Sequence, residues 1–335
     1  MNSLEPHRAT LALLAAALLC AALIMLLRPL LQRYALARPN ARSSHVVPTP
    51  QGAGIAVIAA TVSVAAAYAI AMNIEIPALL FVAVLFLAAV GFADDIRPIQ
   101  VLPRLVLQAI AVGIVVFAAP ADLRIVPAVP ILLERALLLF AGLWFVNLVN
   151  FMDGLDLMTV AELVPITGTL IVLGWLGELP ALPTLIATAL CGATLGFAPF
   201  NRPVAMVFLG DVGSLPIGLL LGWCLLQLAW HHEVAAALLL PLYYLADATL
   251  TLLRRMARRE PFWAAHRTHF YQRATDNGFT VPRVIGEVFL LNLALAALAV
   301  IAAATGTAAA GAVTLLAGAL AVAIVLYRFS RKQSS

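Results

Sequence analysis

The sequence predicts an all-α polytopic integral membrane protein of about eleven transmembrane helices, forming a single helical domain over residues 1–335, with the N-terminus outside and the C-terminus cytoplasmic. Three observations carry this. Of 335 residues, 64% are hydrophobic and 11% charged, and a mean hydropathy of +1.03 leaves too little charge to cover a water-soluble surface. The apolar residues gather into eleven runs, each close to the roughly 20 residues needed to cross about 30 Å of hydrocarbon. The Lys and Arg residues cluster in alternate loops, as the positive-inside rule requires of a multi-span chain.

The first run, 9–27, follows Arg8 and precedes Ala35-Leu36-Ala37, which imitates a signal-peptide cleavage site. Its apolar stretch is too long for a signal, and Arg28 intervenes before the small residues, so it is an uncleaved span. Loop 28–52 carries Arg28, Arg33, Arg38 and Arg42, then Arg42-Ser43-Ser44-His45 and Pro48-Thr49-Pro50-Gln51-Gly52, which holds the backbone non-helical until the second run. Runs 53–72 and 76–93 lead to loop 94–104, with Arg97 and Arg104. Runs 104–119 and 131–149 enclose the outer residues Arg124 and Arg135 and end at loop 150–157. Runs 157–177 and 183–199 lead to loop 200–214, and runs 214–230 and 235–253 to loop 254–282, whose Phe262, Trp263, Phe270 and Tyr271 suit an interfacial position or a fold over a polar site. Runs 284–303 and 307–327 precede Arg328, Arg331 and Lys332. With the N-terminus outside, 17 of the 20 Lys and Arg face the cytoplasm. Cys20, Cys191 and Cys224 fall inside spans, without ligand partners, and read as apolar side chains. The net charge of +4 attracts anionic headgroups and anionic substrates, and no nucleic-acid motif is present.

Five aspartates interrupt this apolar chain, and an acid near hydrocarbon costs roughly 2.5–3.5 kcal/mol even on the lenient insertion scale, so the cluster reads as a functional site. Asp94 and Asp95 end the third run, followed by Arg97, Arg104 and Gln108. Such a pair needs a cation or Arg nearby, as a metal site, a phosphate-activating base or a solvated helix cap. Asn147, Asn150 and Asp153 form one polar stripe on a straight helix, and Gly154 can break the helix so that Asp156 swings back. Amide and carboxylate oxygens are hard ligands that suit Mg²⁺. In Phe208-Leu209-Gly210-Asp211-Val212-Gly213-Ser214 the glycines let backbone N–H groups and a helix N-terminus approach an anion beside the Asp211 carboxylate, although a plain capped turn has the same spelling. The last large loop centres on His266-Arg267-Thr268-His269 and continues to Arg273, donors able to hold a diphosphate rather than zinc. Asp247, Thr251 and Arg254 share a helix face, so Asp247 is either neutralised by Arg or directed into the same cavity.

Together and in this order, Asp94-Asp95, Asn147-x-x-Asn150-x-x-Asp153-Gly154-x-Asp156, Phe208-x-Gly210-Asp211-x-Gly213-Ser214 and His266-x-x-His269 resemble the polyprenyl-phosphate N-acetylhexosamine-1-phosphate transferases of glycosyltransferase family 4, over residues near 40–275. Arg42-Ser43-Ser44-His45 with Pro48-Thr49-Pro50 resembles the branch that initiates O-antigen and related surface glycans. The resemblance implies a multi-pass protein of the bacterial inner membrane with its active site facing the cytoplasm. It implies transfer of a sugar phosphate from a UDP-N-acetyl sugar to undecaprenyl phosphate, with release of UMP and with Mg²⁺ or Mn²⁺ as cofactor. Asp211 and Asn150 would ligate the metal, and Asp94 would deprotonate or position the lipid phosphate. Asp95, Asp153 and Asp156 would support metal and nucleotide, and His266, Arg267 and His269 would hold diphosphate and sugar. Asn147, His45, Arg104 and Arg273 are further substrate-binding candidates, and a homodimer is allowed.

The chain departs from the peptidoglycan branch of that family. Its one lysine is Lys332, and Tyr271-Gln272 stand where further histidines are expected, which disfavours a muramoyl-pentapeptide substrate. A secondary transporter is the rival from another class, but its acids would lie near the midplane and within an internal repeat. A non-enzymatic lipid-binding scaffold gives the Asp/Asn motifs no purpose.

Overall fold

All eleven apolar runs are helical in the computed structural model, which describes residues 4–37, 48–261 and 266–333. The helices are α1 (Pro6–Tyr34), α2 (Gly54–Ala71), α3 (Ala78–Ile96), α4 (Val101–Phe117), α5 (Ile131–Met152), α6 (Met158–Leu176), α7 (Ala181–Asn201), α8 (Asp211–Trp230), α9 (Val234–Leu239), α10 (Leu242–Ala257), α11 (Phe270–Asp276), α12 (Val281–Thr305) and α13 (Ala308–Phe329). Among the described residues nine helices are long and apolar enough to cross a membrane. Two of the eleven runs differ from that standard. The α4 helix is shorter, at 17 residues. The ninth run is divided at Leu240-Pro241 into α9 and α10, because proline has no N–H to donate and disfavours helix in the residue before it.

The first inner loop also differs from expectation. Helix α1 continues past Arg28 and Arg33 to Tyr34, and the chain then forms a two-residue strand β1 (Leu36–Ala37), antiparallel to β2 (Thr49–Pro50). His45, with Arg42-Ser43-Ser44, Phe262 and Trp263, lies outside the described residues.

Lipid tails are as apolar as leucine, so helices in a bilayer associate through close packing and hydrogen bonds rather than through the hydrophobic effect. Helix α7 packs between α1, α2 and α6. Its Gly192-x-x-x-Gly196 stripe makes the close approach to α1: a Cβ at Gly192 would lie 2.2 Å from the Leu13 carbonyl oxygen, and one at Gly196 2.3 Å from that of Ala17. Helix α8 is enclosed by α2, α3, α5, α7 and α9. Deep between α6 and α12, Asn292 Nδ2 donates to Glu162 Oε2 at 2.6 Å and to the Ala161 carbonyl at 3.1 Å. The three cysteines are buried and unpaired.

The two ends of the bundle are built differently. At one, Arg124 Nε donates to Glu134 Oε2 at 2.8 Å and Arg135 donates to the Pro120 and Leu123 carbonyls, which ties the α4–α5 connection down. At the other, the C-terminal ends of α3, α5 and α7 meet the N-terminal ends of α4, α6 and α8. This second end holds the acidic motifs.

Candidate active site

The site is organised around the start of α8. Residues 50–54 run beside 208–209: Phe208 N donates to the Pro50 carbonyl at 2.8 Å, Ala53 N to the Phe208 carbonyl at 3.0 Å, and Gly54 N to the Leu209 carbonyl at 2.8 Å. The first inner loop is thereby stitched to the Gly210-Asp211 motif. Helix α3 crosses just beneath, at Gly91, where any Cβ would lie 2.2 Å from the Asp211 carbonyl oxygen.

That crossing separates the roles of Asp94 and Asp95. The Asp95 carboxylate accepts the backbone N–H of Asp211 at 2.9 Å and of Val212 at 3.1 Å, and also accepts from Gln51 Nε2. Asp95 is therefore the N-cap of α8, supplied from another helix, where Gly210 has no side chain to serve (φ +78°). The Gly210-Asp211-Val212-Gly213 motif predicts an anion at the α8 N-terminus, and the family resemblance implies that Asp95 supports metal and nucleotide. The capping carboxylate instead occupies the first two N–H groups. Asp94 turns the other way: Arg104 Nη1 donates to its Oδ2 at 2.9 Å and Ile99 N to its Oδ1 at 2.5 Å. The same Arg104 nitrogen lies 3.8 Å from Asp211 Oδ2, so one guanidinium bridges both carboxylates.

Asn150, at the end of α5, donates to Asp211 Oδ1 at 2.8 Å and to Ser214 Oγ at 2.9 Å. Helix α5 ends at Met152, before Gly154 as expected, and the chain turns into α6 through Leu157 at φ +63°. Half-buried Asp153 accepts from the Thr159 hydroxyl. Burial first, and then the charges of Asp95 and Asp156, push its carboxyl from 3.8 to about 6. Asp156 Oδ2 accepts Ala205 N at 3.1 Å. Asn150, Asp153, Asp156 and Asp211 line one cavity of about 420 Å³, together with Gln51, Asn201, Phe208 and Gln272.

Other expected residues are placed apart from that cavity. Asn147 does not continue the stripe of Asn150 and Asp153. It is buried, and its Nδ2 donates to Gln108 Oε1 at 2.7 Å and to its own helix at the Leu143 carbonyl. It therefore links α5 to α4. His266 and His269 stack on each other with ring centroids 4.9 Å apart and are not among the cavity-lining residues. Burial, then His269, Arg255 and Arg254, lower the His266 imidazole to about 4, so it is neutral near pH 7. Arg267 pairs with Asp276 at 3.0 Å, and Arg273 lies on α11 within electrostatic reach of Arg254.

Asp247 takes neither of its two anticipated roles. Fully buried, it accepts Phe270 N at 3.0 Å and Tyr271 N at 3.1 Å, lies 3.2 Å from His269 Nδ1, and accepts from the Tyr243 and Thr251 hydroxyls. Arg254 donates to the Thr268 carbonyl at 2.8 Å. Asp247 thus caps α11 from α10, as Asp95 caps α8 from α3. The Tyr271 hydroxyl then donates to the Phe151 carbonyl at 3.1 Å, which fixes the last loop against the end of α5.

Sequence reasoning missed Asn201, Gln272 and the bracing role of Gln51. Asn201 accepts Leu157 N at 2.7 Å and donates to the Val207 carbonyl at 3.0 Å, shaping two walls of the cavity. A polar amide closing an apolar run was the available signal, as at Asn150. The oxygen-rich set around Asp211 has the chemistry of a hard-cation site. Among the described residues no three His, Cys, Asp or Glu side chains are grouped so as to hold a metal ion.

Comparison with known proteins bears on this geometry. Residues 77–229, from the start of α3 through most of α8, match the glycosyl transferase family 4. The decaprenyl-phosphate N-acetylglucosaminephosphotransferase of Mycobacterium tuberculosis is 28% identical over 301 residues, covering 76% of this chain and 72% of that protein. A probable undecaprenyl-phosphate N-acetylglucosaminyl 1-phosphate transferase of Bacillus subtilis is 23% identical, covering 80% and 79%. A phospho-N-acetylmuramoyl-pentapeptide-transferase of Gluconacetobacter diazotrophicus is 30% identical over 172 residues, 45% of each chain.

Proposed function

We propose, from the premise that this chain belongs to glycosyl transferase family 4, that it transfers N-acetylhexosamine-1-phosphate from a UDP-sugar to undecaprenyl phosphate, releasing UMP. The observation that carries this reading is the Asp94–Arg104–Asp211 bridge with Asn150 on Asp211, set beside a 420 Å³ cavity at one end of a membrane bundle. A lipid phosphate would meet such a site from the bilayer, and a nucleotide would reach it from the loop side.

The nucleophile is an anionic lipid phosphate oxygen, and it forms a bond to the sugar-linked phosphorus as the bond to UMP breaks. Both reactants are anions, so the protein's task is positioning and charge neutralisation. Asp211 and Asn150 would hold Mg²⁺ or Mn²⁺, which when bound neutralises the diphosphate charge. Asp94 would position the lipid phosphate, with Arg104 holding the carboxylate in place and offering a positive charge to the phosphates. Asp153 and Asp156 would orient the nucleotide end of the donor. The position of the basic residues supports an active site on the cytoplasmic face of the bacterial inner membrane, where the reaction would be the first membrane step of O-antigen or a related surface glycan.

The test is UMP release by purified protein given undecaprenyl phosphate, Mg²⁺ and a panel of UDP-N-acetyl sugars, with and without EDTA. Release that requires both lipid and metal supports the reading. Binding of UDP-sugar without any release, for every donor in the panel, would sink it.

A further inference from the structure

Gln272, on α11, is 7% exposed and lines the cavity. Its Oε1 is buried and has no hydrogen-bond partner among the described residues. The other amides lining the cavity are engaged. Asn201 is bonded at both ends, Asn150 donates to Asp211 and Ser214, and Gln51 donates to Asp95. Among the lining residues, Gln272 is the one whose side chain leaves a buried acceptor unmet.

The fold holds this amide in place from both sides. Asp247 fixes the backbone of the preceding residue through Tyr271 N, and the Tyr271 hydroxyl is bonded to the Phe151 carbonyl. Gly154 makes room for it: a Cβ there would lie 2.1 Å from the Tyr271 hydroxyl oxygen and 3.0 Å from Gln272 Nε2. A desolvated carbonyl without a donor is costly, and a site built to hydrogen-bond a substrate N–H or O–H discriminates against analogues lacking it.

We propose that Gln272 is a specificity-determining residue, accepting a hydrogen bond through Oε1 from a neutral N–H or O–H group of the UDP-sugar. This rests on the transferase reading above. The group belongs either to the sugar, as its acetamido N–H or a hydroxyl, or to the uracil imide.

The experiment measures binding of UMP, UDP-GlcNAc, UDP-GalNAc, UDP-FucNAc and UDP-QuiNAc to full-length wild-type protein and to Gln272→Met, with the unfolding temperature of each. Methionine keeps the length of the side chain and removes the acceptor. Because Oε1 has no partner among the described residues, the variant is expected to unfold at the wild-type temperature. Its affinity for the preferred donor is expected to fall about 3- to 10-fold. UMP affinity unchanged with a narrowed ranking of donors assigns the contact to the sugar, and UMP and UDP-sugar affinity falling together assign it to the base. A folded variant with unchanged affinities and ranking overturns the proposal alone. Wild-type protein that binds none of these nucleotides overturns the transferase reading, and the proposal with it.

Discussion

The Asp95 carboxylate on α3 accepts the backbone N–H of Asp211 on α8 at 2.9 Å, across 116 residues of sequence, and that of Val212 at 3.1 Å. Its neighbour Asp94 accepts instead from Arg104. Adjacent acids in one helical turn therefore act in different ways. Asp95→Asn is expected to lower both unfolding temperature and turnover, since it weakens a half-buried charged cap of about 1–3 kcal/mol. Asp94→Asn is expected to lower turnover by 100-fold or more with little change in unfolding temperature. Thermal unfolding in detergent, paired with UMP release, separates the two; equal effects on stability would refute the division.

Arg104 competes with any cation for Asp94 and Asp211. Arg104→Gln is expected to tighten Mn²⁺ binding several-fold, because two carboxylates lose their fixed counter-ion, while turnover falls. Titration calorimetry with Mn²⁺ reads the affinity. Weaker Mn²⁺ binding in the variant would show that Arg104 orients the acids more than it neutralises them.

Asp153 stands raised from 3.8 to about 6. An acid raised in the folded state is ionised more easily in the unfolded chain, so its contribution to stability is lost as pH rises from about 4 through 6. Asp153→Asn, which keeps the Thr159 contact, is expected to raise the unfolding temperature of ligand-free protein at pH 7.5 and to raise it clearly less at pH 4.5. If the carboxylate serves a cation or a donor group of the nucleotide, ligand affinity in the wild type rises with pH through about 6 and levels off above it.

Asp247 holds α11 by accepting the N–H groups of Phe270 and Tyr271. Asp247→Ala leaves these buried donors unpaired, and hydrogen exchange over residues 266–276 is expected to accelerate at least 10-fold, with the α8 amides unaffected. Unchanged exchange in that segment would show that Tyr271 and its bond to Phe151 suffice.

The helices were legible because apolar runs of bilayer length have few other uses, and Asp94, Asn150 and Asp211 because polar groups are expensive there. Pro241 inside the ninth run carried the signal for its break. The partners of the acids were not legible. Asp95 and Asp247 act on backbone N–H groups of other helices, which bear no side-chain signature, and Asn147 fits the helical stripe of Asn150 yet faces Gln108. Periodicity gives the face of a helix but not which neighbour covers it. Gln272 appeared in the sequence only as a departure from an expected histidine, and the cavity gives it a place.

The contact of α1 with Gly192 and Gly196 has a practical side for anyone expressing this protein. One face of α1 lies so close to α7 that a Cβ at Gly192 or Gly196 would clash with its main chain, so this helix is packed into the bundle as well as being long and apolar enough to cross a membrane. Exchanging it for a generic membrane anchor or a fused leader would preserve insertion and topology while leaving α7, which the site depends on through Asn201, without its lateral support.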